Sequence, residues 1–310
     1  MCKGENILVA WLRERFAADA ERVAIGIGDD SAAVRLDGTL VAITADMLLD
    51  GIHFKSQEHN YELIGRKAMA CSLSDCAGMA AEPRAATVSV ALNEAMSLDD
   101  VKRLYEGMAA VAGECGCAIV GGDTTSWPGR LAIDVAMLAE PMSPERGLVR
   151  RSEAQRGDTI YVSGLLGGSL TGKHLTFAPR LDLARQLVRE PGLHALMDLS
   201  DGLAMDLNRL VEASDCGAEL SANLLESVIS EAARTLSQAD ARSPLEHALS
   251  DGEDYELLVT GKENLGHKLP SLLPVGRVVA RPPAGASAIV MVGPAGQHRV
   301  IAPSGFEHFR

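Results

Sequence analysis

The chain has 310 residues, of which 47% are hydrophobic and 23% charged, so it is long enough for two globular domains with buried cores. Its formal net charge of −13 argues against nonspecific binding to nucleic acid or to an anionic membrane. No apolar run reaches the roughly 20 residues of a membrane span. The first residues also lack a signal-peptide pattern, so we expect a cytoplasmic protein.

The first half of the chain alternates helical and strand patterns. Apolar residues recur with a helical period over 6–20, and further helices are predicted over 61–81 and 98–114. Glu82-Pro83 is expected to end the first of these, and Ser97 to cap the second. Strands are predicted over 40–43, 86–92, 118–120 and 131–139.

A segment rich in Pro, Gly, Arg and Ser, Pro141–Asp158, predicts a domain boundary near residue 147, which divides the chain into domains 1–147 and 148–310. In the second half, helices are expected near 169–175, 180–189 and from Leu203 onward, and strands over 159–162, 194–199, 255–260 and 288–293. The stretch between the last two strands is read as polar and rich in Pro and Gly. Each domain is therefore predicted to be a sheet covered by helices.

Aspartates recur at the ends of these short apolar runs. The first pair lies in Gly26-Ile27-Gly28-Asp29-Asp30, where two glycines allow a tight turn. The others are Asp46, Asp75, Asp123, Asp198 and Asp201. Each alone is typical of a turn or a helix cap, but Asp75 lies on an apolar helical stripe and would be costly to bury unpaired. Because no Lys or Arg stands next to them, the set favours Mg²⁺ ions that bridge a polyphosphate.

Two segments partly match known nucleotide-binding motifs, but each lacks a residue that the motif requires. Gly167–His174 follows a predicted strand and misses the P-loop pattern, since His174 stands where a hydroxyl should hold Mg²⁺. A Gly-rich turn that opens a helix is the better interpretation. Gly26-x-Gly28 lacks the third glycine of a dinucleotide fingerprint, because residue 31 is Ser.

Other polar residues keep two interpretations on the sequence alone. Arg150-Arg151 could clamp a phosphate or be a solvated pair. His53 could contact a substrate or belong to an ordinary loop, and Tyr105 is placed in mid-helix, where packing is the usual role. The run 250–255 places three carboxylates in one turn, which a solvated turn also explains. The six cysteines have no CxxC or zinc-like spacing, which predicts reduced structural thiols.

Taken in order, the motifs resemble those of the thiamine-monophosphate kinase family. The matching blocks are Gly26–Asp30, Thr44-Ala45-Asp46, Asp50–Phe54, Ser72-Leu73-Ser74-Asp75, Gly121–Thr125, Asp198–Gly202 and Gly252–Leu257, with Phe306 and Phe309 near the end. The resemblance implies the two-domain α+β fold of the aminoimidazole ribonucleotide synthetase-like superfamily. In that fold an N-terminal domain forms a homodimer through its sheet, and a C-terminal α/β domain closes the site.

The resemblance also implies an activity and a site. It implies ATP- and Mg²⁺-dependent phosphorylation of thiamine monophosphate to thiamine diphosphate by direct in-line transfer, with Asp46, Asp123 and Arg151 central to catalysis. The implied metal ligands are Asp30, Thr44, Asp46, Asp75, Asp123, Asp198 and Asp201. ATP would meet Tyr105, Gly122, Asp123, Arg151 and Ser200. The thiamine part would meet His53, Glu253 and Phe306.

The chain departs from the family pattern in three places, and two alternatives stay open. Ala45 stands where a hydroxyl residue is usual, Ser126-Trp127-Pro128 replaces an Arg-Gly pair, and Asp251 replaces a Gly. The first alternative is another ATP-using enzyme of the superfamily. The second is a catalytically weak homologue that binds thiamine phosphates.

Overall fold

The N-terminal half of the computed structural model is a six-stranded sheet with two long helices packed on one face. The structure describes residues 5–16, 21–283 and 287–306. The strands run in the order β1-β2-β3-β6-β4-β5, with β4 and β5 parallel. The helices are α1 (Glu5–Arg15), α2 (Tyr61–Gly78) and α3 (Leu98–Glu114). The strands are β1 (Val23–Ile25), β2 (Ala32–Leu36), β3 (Thr39–Leu49), β4 (Ala81–Asn93), β5 (Ala118–Trp127) and β6 (Ala132–Pro141).

The C-terminal half is built on a seven-stranded sheet in the order β13-β12-β9-β11-β7-β10-β8. Its strands are β7 (Thr159–Val162), β8 (Leu193–Asp198), β9 (Cys216–Ser221), β10 (Leu257–Gly261), β11 (Leu273–Ala280), β12 (Ile289–Val292) and β13 (His298–Val300). Its helices are α4 (Lys173–Thr176), α5 (Leu181–Leu187), α6 (Leu203–Ala213), α7 (Ala222–Val228), α8 (Glu231–Leu236), α9 (Pro244–Ser250) and α10 (Leu265–Lys268). Two short 3₁₀ turns cover Arg151–Glu153 and Ser169–Thr171.

Helix α2 is the central element, because it packs against the first sheet, against α3 and against the C-terminal half. Its residues from Ile64 to Gly78 are buried almost without interruption, which small side chains permit. Gly65 and Gly107 lie where α2 crosses α3, and a Cβ on either would overlap a backbone carbonyl of the other helix. This close approach explains why α2 is so rich in Ala, Gly and Ser.

Several sequence expectations are corrected by the fold. The helix does not end at Glu82-Pro83: α2 ends at Gly78, and Pro83 lies within β4 at an irregularity in its pairing with β6. The strand predicted over 118–120 is longer, because β5 continues through the Gly121–Thr125 block to Trp127. The stretch between β10 and β12 contains β11, in which Pro274 and Gly276 hid the strand pattern. Strand β9 was not predicted.

The larger hydrophobic core crosses from one half to the other, since Leu148 and Val149 belong to it together with residues of α2 and α5. The boundary near residue 147 therefore stays a prediction.

The five cysteines within the described ranges are free thiols, while Cys2 and Phe309 lie outside those ranges. Across the described part of the chain, we find no helix with the length and apolar character needed to span a membrane.

Candidate active site

Four buried carboxylates converge on the C-terminal part of α2. Asp75 is carried by α2 itself, Asp46 by β3, Asp198 by the end of β8 and Asp30 by the turn before β2. The hydroxyl of Ser74 donates to Asp198 Oδ2 at 2.6 Å, and that of Ser72 to Asp46 Oδ2 at 3.2 Å. Thr44 Oγ1 donates to Asp75 Oδ2. Two helical serines and a strand threonine thus fix the orientation of three carboxylates.

The electrostatics of this group demand positive charge. Burial raises the pKa of all four carboxyls, and that of Asp46 reaches about 6. The negative charges of Asp46, Asp198 and Asp30 raise the pKa of Asp75 further, after burial as the largest cause. Four ionised carboxylates can share this space at neutral pH only if cations neutralise them.

Arginines distant in sequence supply part of that charge. Arg151 donates through Nη2 to Asp30 Oδ1, and its backbone N–H donates to Asp29 Oδ1 at 3.3 Å. Arg209 pairs with Asp201 and, at 3.0 Å, with Asp206. The expectation that these aspartates lack basic partners is therefore wrong for Asp30 and Asp201, because the partners come from other segments. Burial raises the pKa of Asp29 to about 6 even beside Arg151.

A cavity of about 250 Å³ lies against the carboxylate cluster, between the two halves of the chain. It brings together eight of the residues predicted for the site: Asp46, His53, Asp75, Asp198, Ser200, Asp201, Glu253 and Phe306. The His53 and Phe306 rings lie 6.2 Å apart. Leu49 N–H donates to His53 Nδ1 at 2.9 Å, which fixes the imidazole on the rim of the cavity.

Three predicted residues lie away from both the cavity and the carboxylate cluster. Asp123 is exposed on β5, where it pairs in register with Ser89, and it does not line this cavity. Gly122 has a φ of +153° and approaches β4 so closely that a Cβ would overlap the carbonyl oxygen of Val88, which explains why this residue is glycine. Tyr105 packs partly buried against the core. Their predicted roles in nucleotide or metal binding stay predictions.

The loop before β10 shapes one wall of the cavity with unusual backbone geometry. Gly252, Glu253 and Tyr255 have φ values of +74°, +54° and +49°. Glu253 N–H donates to Ser200 O at 2.6 Å, and Ser169 Oγ donates to Glu253 O at 2.5 Å. These bonds tie the loop to two neighbouring segments and stabilise a conformation that non-glycine residues seldom adopt.

The Gly-rich turn at 167–172 donates hydrogen bonds to the segment before β10 and does not form a phosphate-binding loop. The N–H groups of Gly167 and Gly168 donate to the carboxylates of Asp254 and Asp251 at 2.9 Å. Lys173 Nζ lies 2.9 Å from Glu256 Oε1. A P-loop would direct these donors toward phosphate, so the geometry agrees with the interpretation as a structural turn.

The departures from the family pattern have defined positions in the structure, and Ser126 and Trp127 are exposed on β5, away from this cavity. Ala45 is exposed on the face of β3 opposite to Thr44 and Asp46, because successive strand residues alternate, so a hydroxyl there would point away from the cavity. Asp251 accepts from Arg242 Nη1 at 2.7 Å and contacts His247 Nδ1 at 2.9 Å. It thus connects α9 to the Gly-rich turn.

One residue of the site was missed by the sequence reasoning. Lys67 lies on α2, is fully buried, and contacts Glu253 across the two halves of the chain. The signal was present, because a lysine within the small, apolar run of α2 is as unusual as Asp75. Its partner lies 186 residues away, and nothing local indicates that contact.

The cluster fits a metal whose coordination is completed by other oxygen ligands. Within residues 5–16, 21–283 and 287–306, no three Asp, Glu, His or Cys side chains are arranged to hold an ion by themselves. Asp30 Oδ2 is nevertheless buried without a hydrogen-bond partner among these residues. Mg²⁺ is typically held by one or two carboxylates together with water and substrate phosphate. The donor set matches that preference.

Comparison with known proteins agrees with this architecture. The family models described as AIR synthase related protein, N-terminal domain and C-terminal domain match residues 28–140 and 150–279. Thiamine-monophosphate kinase from Rhodopirellula baltica is 41% identical over 263 residues, which cover 82% of this chain and 81% of that protein. The Escherichia coli K12 enzyme of the same name is 33% identical, with 85% and 84% covered.

A solved structure extends the likeness to three dimensions. The structure of AaThiL complexed with AMPPCP and TMP superimposes with a TM-score of 0.84 at 27% identity, over 99% of this chain and 97% of that one. The chain belongs to the thiamine-monophosphate kinase family, with the two-domain AIR synthase related fold.

Proposed function

We propose that this chain transfers the terminal phosphoryl group of ATP to thiamine monophosphate, giving thiamine diphosphate and ADP. The observation that carries the proposal is the cavity, where the carboxylate cluster adjoins the His53–Phe306 pair. Relatives named thiamine-monophosphate kinase and a solved relative complexed with AMPPCP and TMP support it.

The acidic residues are proposed to hold Mg²⁺. Asp46, Asp75 and Asp198 line the cavity, and Asp30 Oδ2 is buried with no hydrogen-bond partner in the described part of the chain. Thr44 would orient Asp75, while Asp123 and Asp201 would join when the nucleotide is bound. Bound Mg²⁺ would neutralise phosphate charge and help to align the two substrates.

The proposed reaction does not require a strong general acid or general base from the protein. The bond between the γ-phosphorus of ATP and its bridging oxygen breaks, and ADP keeps that oxygen. A phosphate oxygen of thiamine monophosphate forms the new bond to the same phosphorus. Because that oxygen is already ionised, positioning and charge neutralisation supply the catalysis. Arg151, held by Asp29 and Asp30, is proposed to stabilise the phosphoryl group, and Ser200, Gly122 and Tyr105 to contact the nucleotide.

The rim of the cavity suits a flat, positively charged organic group. The His53 and Phe306 rings offer stacking surfaces, and the Glu253 carboxylate offers a negative charge that complements a thiazolium ring. We therefore assign the thiamine part to these three residues.

A homodimer is proposed to form through the outer face of the first sheet. That face exposes large apolar side chains of β3, β5 and β6: Ile43, Met47, Val120 and Leu138. Met47 and Val120 are 61% and 64% exposed, and exposed apolar side chains grouped on one face are typical of a protein–protein contact surface. We place the protein in the cytoplasm, in line with the free thiols of the described part.

Turnover of the purified protein tests the proposal. With ATP, Mg²⁺ and thiamine monophosphate, the wild-type protein should produce thiamine diphosphate. Asp46→Asn should lose at least about a hundredfold in kcat while keeping its fold, since one negative charge of the cluster is removed. Asp99→Asn, at an 84% exposed site on α3, is the matched control and should keep full activity. Wild-type activity in Asp46→Asn would exclude the proposed role.

The same assay separates the alternatives. A binding homologue without turnover would release no ADP, and a different ATP-using enzyme would not respond to thiamine monophosphate. The sequence support for a weak homologue was the loss of functional groups at Ala45 and Ser126. Ala45 lies on the opposite face of β3, so the first of these losses does not affect the cavity.

A further inference from the structure

Lys67 is a fully buried charge at the junction of the two halves. Its Nζ donates to both carboxylate oxygens of Glu253, at 2.7 and 2.8 Å, and to the backbone carbonyl oxygen of His53. A buried ammonium group is costly unless it is paired and hydrogen-bonded. Here three acceptors satisfy the three donors that an ammonium group carries.

The two acceptor residues belong to separate segments that both line the cavity. His53 lies in the turn after β3, and Glu253 lies in the strained loop before β10. Lys67 itself does not line the cavity. It therefore acts on a bound molecule through the groups it holds, and it holds one from each half of the chain.

We propose that Lys67 is a positioning residue, which fixes the Glu253 carboxylate and the His53 turn in the arrangement that binds the thiamine part of thiamine monophosphate. This inference rests on the proposed function and adds a specificity role to a residue outside the cavity. The two-oxygen contact fixes the plane of the Glu253 carboxylate, which one hydrogen bond would leave free to rotate.

The charge of Lys67 also tunes what Glu253 offers to a ligand. The pairing with Lys67 holds the Glu253 carboxylate in one orientation in a largely buried position beside the cavity, where it can complement a cationic ring. Without the ammonium group, the carboxylate would lose both of these hydrogen bonds and turn toward water. Loss of that position weakens binding of the cation, whereas Gly122 and Tyr105 lie outside the cavity and Ser200 is tied to the backbone N–H of Glu253, not to its carboxylate.

Lys67→Met and Lys67→Arg provide the test. Lys67→Met keeps the length of the side chain without its charge and should raise KM for thiamine monophosphate by about tenfold or more, with KM for ATP changed less than about twofold. Lys67→Arg keeps the charge and should recover part of the loss. Lys102→Met, at an exposed position on α3, is the matched control and should behave as wild type.

A double change shows whether Lys67 acts through Glu253. In a Glu253→Gln background, Lys67→Met should add less than about threefold to the dissociation constant of thiamine monophosphate, measured by calorimetry. If Lys67→Met alone does not fold, the double variant, which leaves no unpaired buried carboxylate, is compared with Glu253→Gln instead.

The outcomes are distinct. Wild-type protein that makes no thiamine diphosphate overturns the proposed function and this inference with it. An active wild type whose Lys67→Met variant keeps its KM for thiamine monophosphate, or raises both KM values equally, overturns only the role of Lys67. A full additional loss in the Glu253→Gln background also overturns it.

Discussion

Gly78→Ala should impair catalysis through a single methyl group. Gly78 ends α2 between two carboxylate-bearing segments, and a Cβ there would lie 2.8 Å from Asp198 N and 3.2 Å from Asp30 Cγ, with Asp30 Oδ2 nearer still. Ordinary contacts begin at 3.4 Å, so the segments must separate by at least about 0.6 Å. Both are buried and packed, and they cannot move freely.

The expected cost is larger in rate than in stability. Overpacking of this size typically costs about 1–3 kcal/mol of unfolding free energy. Displacing catalytic groups by about 1 Å can cost roughly a hundredfold in rate, so we expect kcat to fall by about ten- to a hundredfold. Urea unfolding measures the first quantity, and ADP release with thiamine monophosphate measures the second.

Gly113→Ala is the matched control, because Gly113 is also helical and a Cβ there would meet nothing within 4 Å. It should leave kcat unchanged and stabilise the protein by up to about 1 kcal/mol through helix propensity. If Gly78→Ala keeps kcat within about threefold of wild type, the close spacing of Asp30 and Asp198 is not needed for catalysis.

Two further predictions concern pH and assembly. Burial raises the pKa of Asp254 to about 7, against the opposing effects of Lys173 and the Gly167 N–H. The native state therefore keeps this proton more readily than the unfolded chain does, so the stabilisation is complete below about pH 4 and is lost as pH rises through 7. Asp254→Asn keeps a neutral group at every pH. The unfolding free energy of this variant minus that of wild type, measured in metal-free buffer, should therefore increase between pH 4 and pH 8 by at most about 4 kcal/mol. A difference that stays constant over this range would contradict the raised pKa. Met47→Glu should place a charge on the exposed sheet face and shift the protein from dimer to monomer in sedimentation velocity, whereas a monomeric wild type would contradict the proposed interface.

The sequence motifs predicted many of the residues that line the cavity, because each family motif has its functional residue at a fixed position. Asp46, Asp75 and Asp198 meet although they come from β3, α2 and β8. Helix α3 was predicted with its observed bounds, and Ser97, its predicted N-cap, forms a complete capping box with Asp100.

What the sequence could not show are contacts between distant segments. The pairs Lys67–Glu253 and Arg151–Asp30 depend on how α2 and the second half pack, and no local pattern encodes them. Strand β11 was missed because Pro274 and Gly276 weaken a strand pattern that burial in the sheet overrides. Asp123 fits the motif, yet its side chain lies outside the cavity, so its role needs its own test.

The most direct test of the proposed reaction is the stoichiometry of its products. Wild-type protein with ATP, Mg²⁺ and thiamine monophosphate should form thiamine diphosphate and ADP in equal amounts, quantified together by chromatography, and neither should form when Mg²⁺ is chelated. ADP release without thiamine diphosphate, or no dependence on thiamine monophosphate, would contradict the assignment of this cavity to phosphoryl transfer between the two substrates.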